Sequence, residues 1–378
     1  MLKAKQGGVP IFDAAISSFF KNMSSKGKDM SSLQNHEIER LKARALVVDT
    51  EEGVINQLLK SDLKDLFDGK QFVHDVSGAG NNWAHGFGEY GPQYRSEILN
   101  KIRKEAEQAS SLQCFLLFHS VGGGTGSGLG TYILSQLADE FPDVYRFTAS
   151  VFPSDTDDVI TSPYNAAFST DKLINYADCV FPVDNDSLIR VCQGANTKGV
   201  GRSRLDKAES NDMVGSTNFV SSLRKEVTDS KEKETKIQSF AKMNSIIAHL
   251  LSNLTCSMRF EGKLNVDLNE ITMNMVPFPR LHFLMASMSP LQLLLNKHEP
   301  RSLDQSFAEI LLPENQIISC NPIGRRYLSL GVICRGQVSF SDLGRNIDRI
   351  KNSLNMIWWN ADGFKYGICD SKPTYSVS

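Results

Sequence analysis

Apolar and polar positions alternate along this chain in a way that predicts a β-sheet with helices between its strands. Short apolar runs bounded by polar residues have the length of strands, and the second of them is typical of a strand buried on both faces in a parallel sheet. These runs are 43–49, 114–119, 145–152 and 177–183. After the second run, Leu129, Ile133, Leu137 and Phe141 recur at helical spacing until Pro142 ends the segment. The pattern indicates an α/β fold.

A glycine-rich loop at 122–128, with the sequence GGGTGSG, joins the strand at 114–119 to this helix. Glycines let the backbone approach phosphate oxygens, and a helix N-terminus presents N–H groups and partial positive charge to an anion. The chain has no Gly-Lys-Ser/Thr triplet, and the loop has no strict G-x-G-x-x-G pattern, so a P-loop and a dinucleotide fingerprint are both excluded. A glycine run alone is equally typical of a tight turn. Its position between a strand and a helix favours an anion site.

Acidic residues follow the first strand, at the edge where ligands bind in open α/β sheets. Asp49 and Glu51 could hold water around a magnesium ion there. Alternatively, they cap the following helix and add favourable charge to its first turn. The residue types leave both interpretations open.

Composition and charge predict a globular protein without general attraction to nucleic acid or membranes. The chain has 378 residues, a formal charge of -2 and a pI near 6.4. Its seven cysteines are odd in number and form no C-x-x-C pair, which favours a reducing compartment over a zinc site or a disulfide framework. No apolar run reaches the length of about 18 residues that a membrane span needs. We therefore expect a cytoplasmic protein.

Three segments, in this order, resemble the tubulin family, whose members are GTPases that assemble head to tail. They are HSVGGGTGSGLGT at 119–131, VDN at 183–185 and RFEGKLNVDLNEI at 259–271. The resemblance covers about 11–369, apart from 194–236. It implies a parallel-sheet GTP-binding domain over 11–255 and a smaller α/β intermediate domain over 256–378. The polar, mixed-charge stretch 194–236 is expected to be a disordered insertion.

The resemblance also implies a GTP site with a magnesium ion. Phosphate contacts would come from the loop, and further contacts from side chains around it. The implied residues are Ser120, Gly122, Gly123, Gly124, Thr125 and Gly126 at the phosphates, Asn81 in a neighbouring loop, Asp158 at the sugar, Asn185 at the guanine base or the ribose, and Phe240 and Asn244 at the guanine. Two alternatives remain open, because Asp158 also suits a solvated turn and Phe240 also suits a core position.

Asp267 and Glu270 are three residues apart and would share one face of a helix. They fit a capping box, which is a structural role. In the family resembled, this segment reaches the nucleotide of the neighbouring subunit, so the pair would position water against a γ-phosphate there. The implied partners are other tubulin subunits.

The wording GAGNNWA at 78–84 and DDVITSPYN at 157–165 is most like the branch of the family that acts in centrioles and basal bodies. That resemblance implies a cytoskeletal role in centriolar microtubules. Family members also begin with an apolar strand and end with two long helices that this sequence lacks, so we expect a chain truncated at both ends. One alternative function is a structural, non-hydrolysing docking protein, or a nucleotide-incompetent fragment, of the same fold. Another is a Rossmann-type dehydrogenase, which the missing fingerprint disfavours.

Overall fold

The computed structural model describes residues 11–24, 29–31, 36–154, 157, 159–197, 240–290 and 302–373. The strands are β1 (Ile11–Phe12), β2 (Phe20–Met23), β3 (His36–Glu37), β4 (Arg40–Ala43), β5 (Val47–Asp49), β6 (Phe72–His74), β7 (Cys114–Ser120), β8 (Tyr145–Phe152), β9 (Cys179–Asp184), β10 (Arg326–Tyr327), β11 (Leu330–Arg335), β12 (Asn355–Met356) and β13 (Phe364–Cys369). The helices are α1 (Ala14–Ser17), α2 (Glu52–Lys60), α3 (Trp83–His85), α4 (Gly91–Glu107), α5 (Gly130–Glu140), α6 (Ser162–Tyr176), α7 (Asn185–Thr197), α8 (240–254), α9 (Cys256–Arg259), α10 (Leu268–Met275), α11 (Leu303–Glu309) and α12 (Phe340–Ser353). π-helical turns at Gly86–Tyr90 and Thr125–Leu129 lead into α4 and α5.

Parallel strands form the sheet that carries the glycine loop. β7, β8 and β9 pair in that order, with Cys114 opposite Tyr145 and Phe147 opposite Cys179. β5 and β6 form a second parallel pair. Parallel neighbours need crossover connections, and α5 and α6 provide them. The predicted α/β fold with a parallel sheet is confirmed.

The core lies on both sides of this sheet, because successive strand residues face opposite ways. From β7, Phe115 and Leu117 join the cluster that holds α4 and α5 against one face. Cys114 and Leu116 join the cluster that holds α10 against the other. The helix predicted after the glycine loop is confirmed as α5, whose Leu137 is buried in the first cluster.

Several predicted elements differ from the structure. β7 is not buried on both faces, since Phe118 is 56% exposed and, among the described residues, β7 pairs only with β8. The apolar run 43–49 is divided between β4 and β5. Helix α7 continues to Thr197, so the predicted insertion does not begin at 194; the stretch 198–236 lies outside the described residues.

The C-terminal region combines short parallel strand pairs with amphipathic helices. β10 pairs with β12 and β11 with β13. Helix α12 begins at the cap Ser339, whose hydroxyl oxygen accepts a hydrogen bond from the Asp342 N–H, and it buries Leu343, Ile347 and Ile350 at helical spacing. The region is α/β as predicted, while the boundary between 255 and 256 stays a prediction. None of the helices in the described ranges has the length and hydropathy that a bilayer span requires.

Candidate functional site

The glycines of the loop are required by close packing. A Cβ at Gly126 would lie 2.5 Å from the Ser120 carbonyl oxygen, and one at Gly124 would lie 2.8 Å from the Asn82 nitrogen. Neither glycine has a positive φ; in the loop before α3 the positive values belong to Gly80, at 58°, and Asn81, at 51°. The chain therefore folds back onto the end of β7, and a side chain at these positions would displace it.

Backbone N–H groups at the start of this loop are available to a ligand. The Gly122 N–H donates to Ser120 Oγ at 3.3 Å. Those of Gly123, Gly124 and Thr125 have no acceptor in the described part of the chain. They lie where the chain enters the helical turn that leads to α5, so the helix dipole adds partial positive charge. This arrangement fits a phosphate group.

Asn165 holds this loop against the neighbouring one. Its Nδ2 donates to the carbonyl oxygens of Asn81, at 2.8 Å, and Gly122, at 2.9 Å. Its Oδ1 accepts from the Trp83 N–H at 2.9 Å, and the residue is only 2% exposed. Asn165 is not among the predicted site residues, although it is the last residue of DDVITSPYN at 157–165, one of the segments that resemble the family.

Thr50 joins the acidic segment to the glycine loop. It is also not among the site residues predicted from the sequence. Its Oγ1 lies 2.6 Å from Thr125 Oγ1, and the residue is 2% exposed. Asp49 Oδ1 accepts from the Glu51 N–H at 3.2 Å, and Glu51 occupies the N-cap position of α2 without a side-chain cap bond. Both carboxylates therefore flank the loop. Among the described residues, no three His, Cys, Asp or Glu side chains form a metal-binding group, so magnesium would take its other ligands from water and phosphate.

The residues predicted at the guanine lie at the same edge of the sheet as the loop. Asn185 follows β9 directly as the first residue of α7. Met243, Ile246 and Leu250 of α8 belong to the cluster that contains Val183, at the end of β9, and Leu254 packs against the cluster that contains Phe147, near the start of β8. This order along α8 favours a helix that runs opposite to the strands, with Phe240 and Asn244 toward their carboxyl ends.

Phe240 does not belong to the core. It is 55% exposed, and the buried face of α8 consists of Met243, Ile246 and Leu250. The alternative of a core phenylalanine is therefore wrong. Since β9 is two strands from β7, Asn185 and the phosphate loop are separated by roughly 10 Å along the edge.

Asp267 and Glu270 lie at the opposite edge of the sheet. Asp267 Oδ1 accepts from the Glu270 N–H at 2.8 Å and so caps α10, which confirms the capping role of Asp267. The reciprocal bond of a capping box, from the Asp267 N–H to the Glu270 carboxylate, is not formed, so the predicted capping box is only half present. Leu268, the residue after Asp267, belongs to the cluster against which Cys114 packs, so Asp267 lies near the first residue of β7. Burial, and to a lesser degree the charge of Asp267, raises the pKa of Cys114 to about 11. The glycine loop follows the last residue of the same strand, about 20 Å away at 3.3 Å per residue. One chain therefore does not bring these carboxylates to its own loop.

The remaining predicted residues are Glu270 and Asp158. Glu270 Oε2 lies 3.2 Å from Lys365 Nζ, so this carboxylate has an ionic partner within the chain. Asp158 lies outside the described residues. Its neighbour Asp157 is described, and its Oδ2 would lie 3.7 Å from a Cβ added at Gly122.

The fold and the loop are those of a GTPase of the tubulin and FtsZ type. Residues 3–193 match the family described as "Tubulin/FtsZ family, GTPase domain", and residues 279–378 match "Tubulin C-terminal domain". The chain belongs to the tubulin family.

Within that family the chain is similar to particular members. It is 47% identical over 365 residues to the tubulin epsilon chain of Mus musculus, covering 96% of this chain and 74% of that protein. It is 46% identical to the tubulin epsilon chain of Homo sapiens with the same coverage. The tubulin alpha-1 chain of Saccharomyces cerevisiae is 33% identical over 338 residues, which is 88% of this chain and 67% of that one.

Proposed function

We propose that this chain binds GTP across the carboxyl edge of β7, β8 and β9. The observation that carries the proposal is that, among the described residues, the N–H groups of Gly123, Gly124 and Thr125 have no hydrogen-bond acceptor, at the edge of the sheet where Asn185 follows β9. The loop from Ser120 to Gly126 would take the phosphates, with Asn81 beside it. Asn185 and Asn244 would hydrogen-bond the guanine, and the exposed ring of Phe240 would stack on it. Asp158 is proposed at the sugar.

Magnesium fits the acidic segment beside the loop, because carboxylate oxygens and water are its preferred ligands. Asp49 and Glu51 would hold it through water, and Thr50 keeps this segment against Thr125. The ion would neutralise charge on the phosphates. The chain's own contribution is to fix the position of the two carboxylates.

Hydrolysis is proposed to be completed between subunits. Asp267 and Glu270 lie at the edge opposite the loop, so a second subunit stacked head to tail would bring its pair to the nucleotide of the first. There they would orient the attacking water. Catalysis of phosphoryl transfer depends mainly on such positioning and on stabilisation of charge. The partners would be other tubulin subunits.

A structural, non-hydrolysing docking protein of the same fold is the second candidate. The observation in its favour is that both carboxylates already have partners in the chain, Asp267 as a helix cap and Glu270 beside Lys365. This candidate predicts that nucleotide, if bound, is not turned over.

Similarity to tubulin epsilon chains supports a cytoplasmic, cytoskeletal role in the microtubules of centrioles, centrosomes or basal bodies. A fluorescently tagged chain in ciliated cells should coincide with a centriole marker. Uniform labelling of all microtubules would exclude the centriolar assignment.

Nucleotide content and complementation test the two candidates. The purified chain should release GTP or GDP on denaturation, as measured by chromatography; no nucleotide would exclude GTP binding. For hydrolysis, a loop variant (Gly124→Ala) and a carboxylate variant (Asp267→Ala with Glu270→Ala) should each be inactive, and their mixture should recover turnover. An active wild type with an inactive mixture would contradict completion between subunits, and an inactive wild type would favour the docking protein.

A further inference from the structure

His119, in β7, lies directly beneath the glycine loop and contacts it through one ring nitrogen. Its Nδ1 lies 2.9 Å from the Gly126 carbonyl oxygen, and its Nε2 lies 3.0 Å from Ser150 Oγ on β8. A Cβ added at Gly130, the first residue of α5, would lie 3.4 Å from the same Nδ1. The ring therefore fills the space between the strand, the loop and the helix.

These partners define which nitrogen carries the proton. The Gly126 carbonyl can only accept, so Nδ1 must donate to it. Burial lowers the pKa of His119 to about 4, so the ring is neutral at pH 7 and has one N–H. Nε2 is then an acceptor for the Ser150 hydroxyl, and Ser150 is completely buried. Each polar atom of the ring has a partner of the opposite kind.

The bond to Gly126 controls the direction of the loop. It turns this carbonyl down toward the strand, and Gly126 also packs against Ser120 with no space for a side chain. A peptide plane is rigid, so the bond to the Gly126 carbonyl also fixes the Ser127 N–H, which shares its plane, within the helical turn Thr125–Leu129. Gly124 and Thr125, whose N–H groups are proposed to bind the phosphates, directly precede Gly126 at the start of this turn, so holding Gly126 holds the turn in place.

We propose that His119, in its Nδ1–H form, is a positioning residue that orients the glycine loop for phosphate. The inference rests on the nucleotide site proposed above, to which His119 adds no direct contact. It predicts that nucleotide affinity depends on whether residue 119 has a hydrogen-bond donor at its δ position, and does not depend on the stability of the fold alone.

Two substitutions separate the two ring contacts. His119→Asn keeps a donor at the δ position and loses the contact with Ser150, so its Kd for GTP should stay within about threefold of wild type. His119→Gln reaches toward Ser150 and leaves the Gly126 carbonyl without a donor, so its Kd should rise by about tenfold or more. Equal Kd values for the two variants would overturn the inference.

Matched controls remove buried hydrogen bonds without touching the loop. Ser150→Ala removes the donor to Nε2, and His282→Asn removes the 3.1 Å contact between the buried His282 Nε2 and the Leu173 carbonyl. Both should lower the melting temperature and leave the Kd for GTP unchanged. If they weaken GTP binding as much as His119→Gln does, affinity follows stability and the inference is wrong.

The proton position can be measured without nucleotide. In protein labelled with ¹⁵N-histidine, the resonance that disappears in His119→Asn should have the chemical shifts of a neutral ring protonated at Nδ1. Protonation at Nε2 would place two acceptors against each other and would overturn the inference. Failure of the proposed function is distinct: a wild-type chain that binds no GTP, with the Nδ1–H form present, contradicts the nucleotide site alone.

Discussion

Buried polar side chains around the glycine loop take their partners mostly from the backbone. Asn165 bonds three backbone groups, and His119 bonds the Gly126 carbonyl. Removing such a side chain leaves its partners without hydrogen bonds, which costs about 1–3 kcal/mol for each group that stays buried. Single residues at this edge therefore affect both stability and the shape of the loop.

Acid should destabilise the protein through His119. Its pKa is lowered from 6.5 in the unfolded chain to about 4 in the fold, so the unfolded state takes up the proton first. The contribution of the neutral ring is complete above pH 6.5 and is lost as the pH falls toward 4. We expect the free energy of unfolding to drop by about 3 kcal/mol more in wild type than in His119→Asn between pH 7 and pH 4, measured by urea unfolding.

Replacing Asn165 should weaken the fold and the site together. Asn165→Ala removes three hydrogen bonds to backbone groups from a side chain that is 2% exposed, and we expect a loss of about 2–3 kcal/mol in urea unfolding with weaker GTP binding. Asn175→Ala on the same helix is the control, because its amide is exposed and bonds only Asp171. Similar losses from both substitutions would contradict the role assigned to Asn165.

At the scale of elements, local signals predicted helices better than strands. The period of Leu129 and Leu137 and the stop at Pro142 predicted α5, and Asp267 was recognised as a cap from its spacing to Glu270. Strand limits were less accurate: the run 43–49 contains a break, and one face of β7 is partly exposed at Phe118. A helix closes its hydrogen bonds within a few residues, whereas the limits of a strand depend on which neighbour it meets.

The cap of α10 allows the structural role of Asp267 to be separated from its proposed role in hydrolysis. Asp267→Asn keeps an oxygen that accepts from the Glu270 N–H, so stability should change by less than about 0.5 kcal/mol, while assembly-dependent GTP turnover should fall strongly with the loss of charge.

Ser339→Ala in α12 is the control for Asp267→Asn, because it removes a helix cap and keeps the charge of Asp267. It removes a helix cap elsewhere and should cost about 1 kcal/mol with turnover unchanged, measured by thermal unfolding and phosphate release. Full turnover in Asp267→Asn would mean that its charge has no part in hydrolysis.

At the scale of the whole molecule, the two groups of proposed functional residues lie at opposite edges of one sheet. The loop follows the end of β7, and Asp267 lies near its beginning. With this geometry a monomer would hold nucleotide at the proposed site without completing the proposed water site. The proposed head-to-tail stacking would join the two edges at every contact, and a heterologous interface of that kind can extend into filaments.

GTP should stabilise the folded chain measurably. A ligand that binds only the folded state at 100 times its Kd adds about 2.7 kcal/mol to the free energy of unfolding. We expect a rise in melting temperature with GTP and magnesium, a smaller rise with ATP, and none in Gly124→Ala, where a Cβ would lie 2.8 Å from the Asn82 nitrogen. Equal shifts with GTP and ATP would contradict recognition of guanine by Asn185 and Asn244.

The sequence by itself determined the parallel α/β fold, the glycine loop, helix α5 and the cap at Asp267. Each depends on apolar period or on hydrogen bonds between residues close along the chain. Tertiary structure decided that Asn165 bonds Asn81 and Gly122, which are 84 and 43 residues away, and that Thr50 meets Thr125 across 75 residues. It also decided that Asp267 lies at the far edge from the loop. Contacts of this kind arise only when separate elements pack. The period of apolar residues along the chain predicts an element and its buried face, but it does not predict which strand end lies next to which loop.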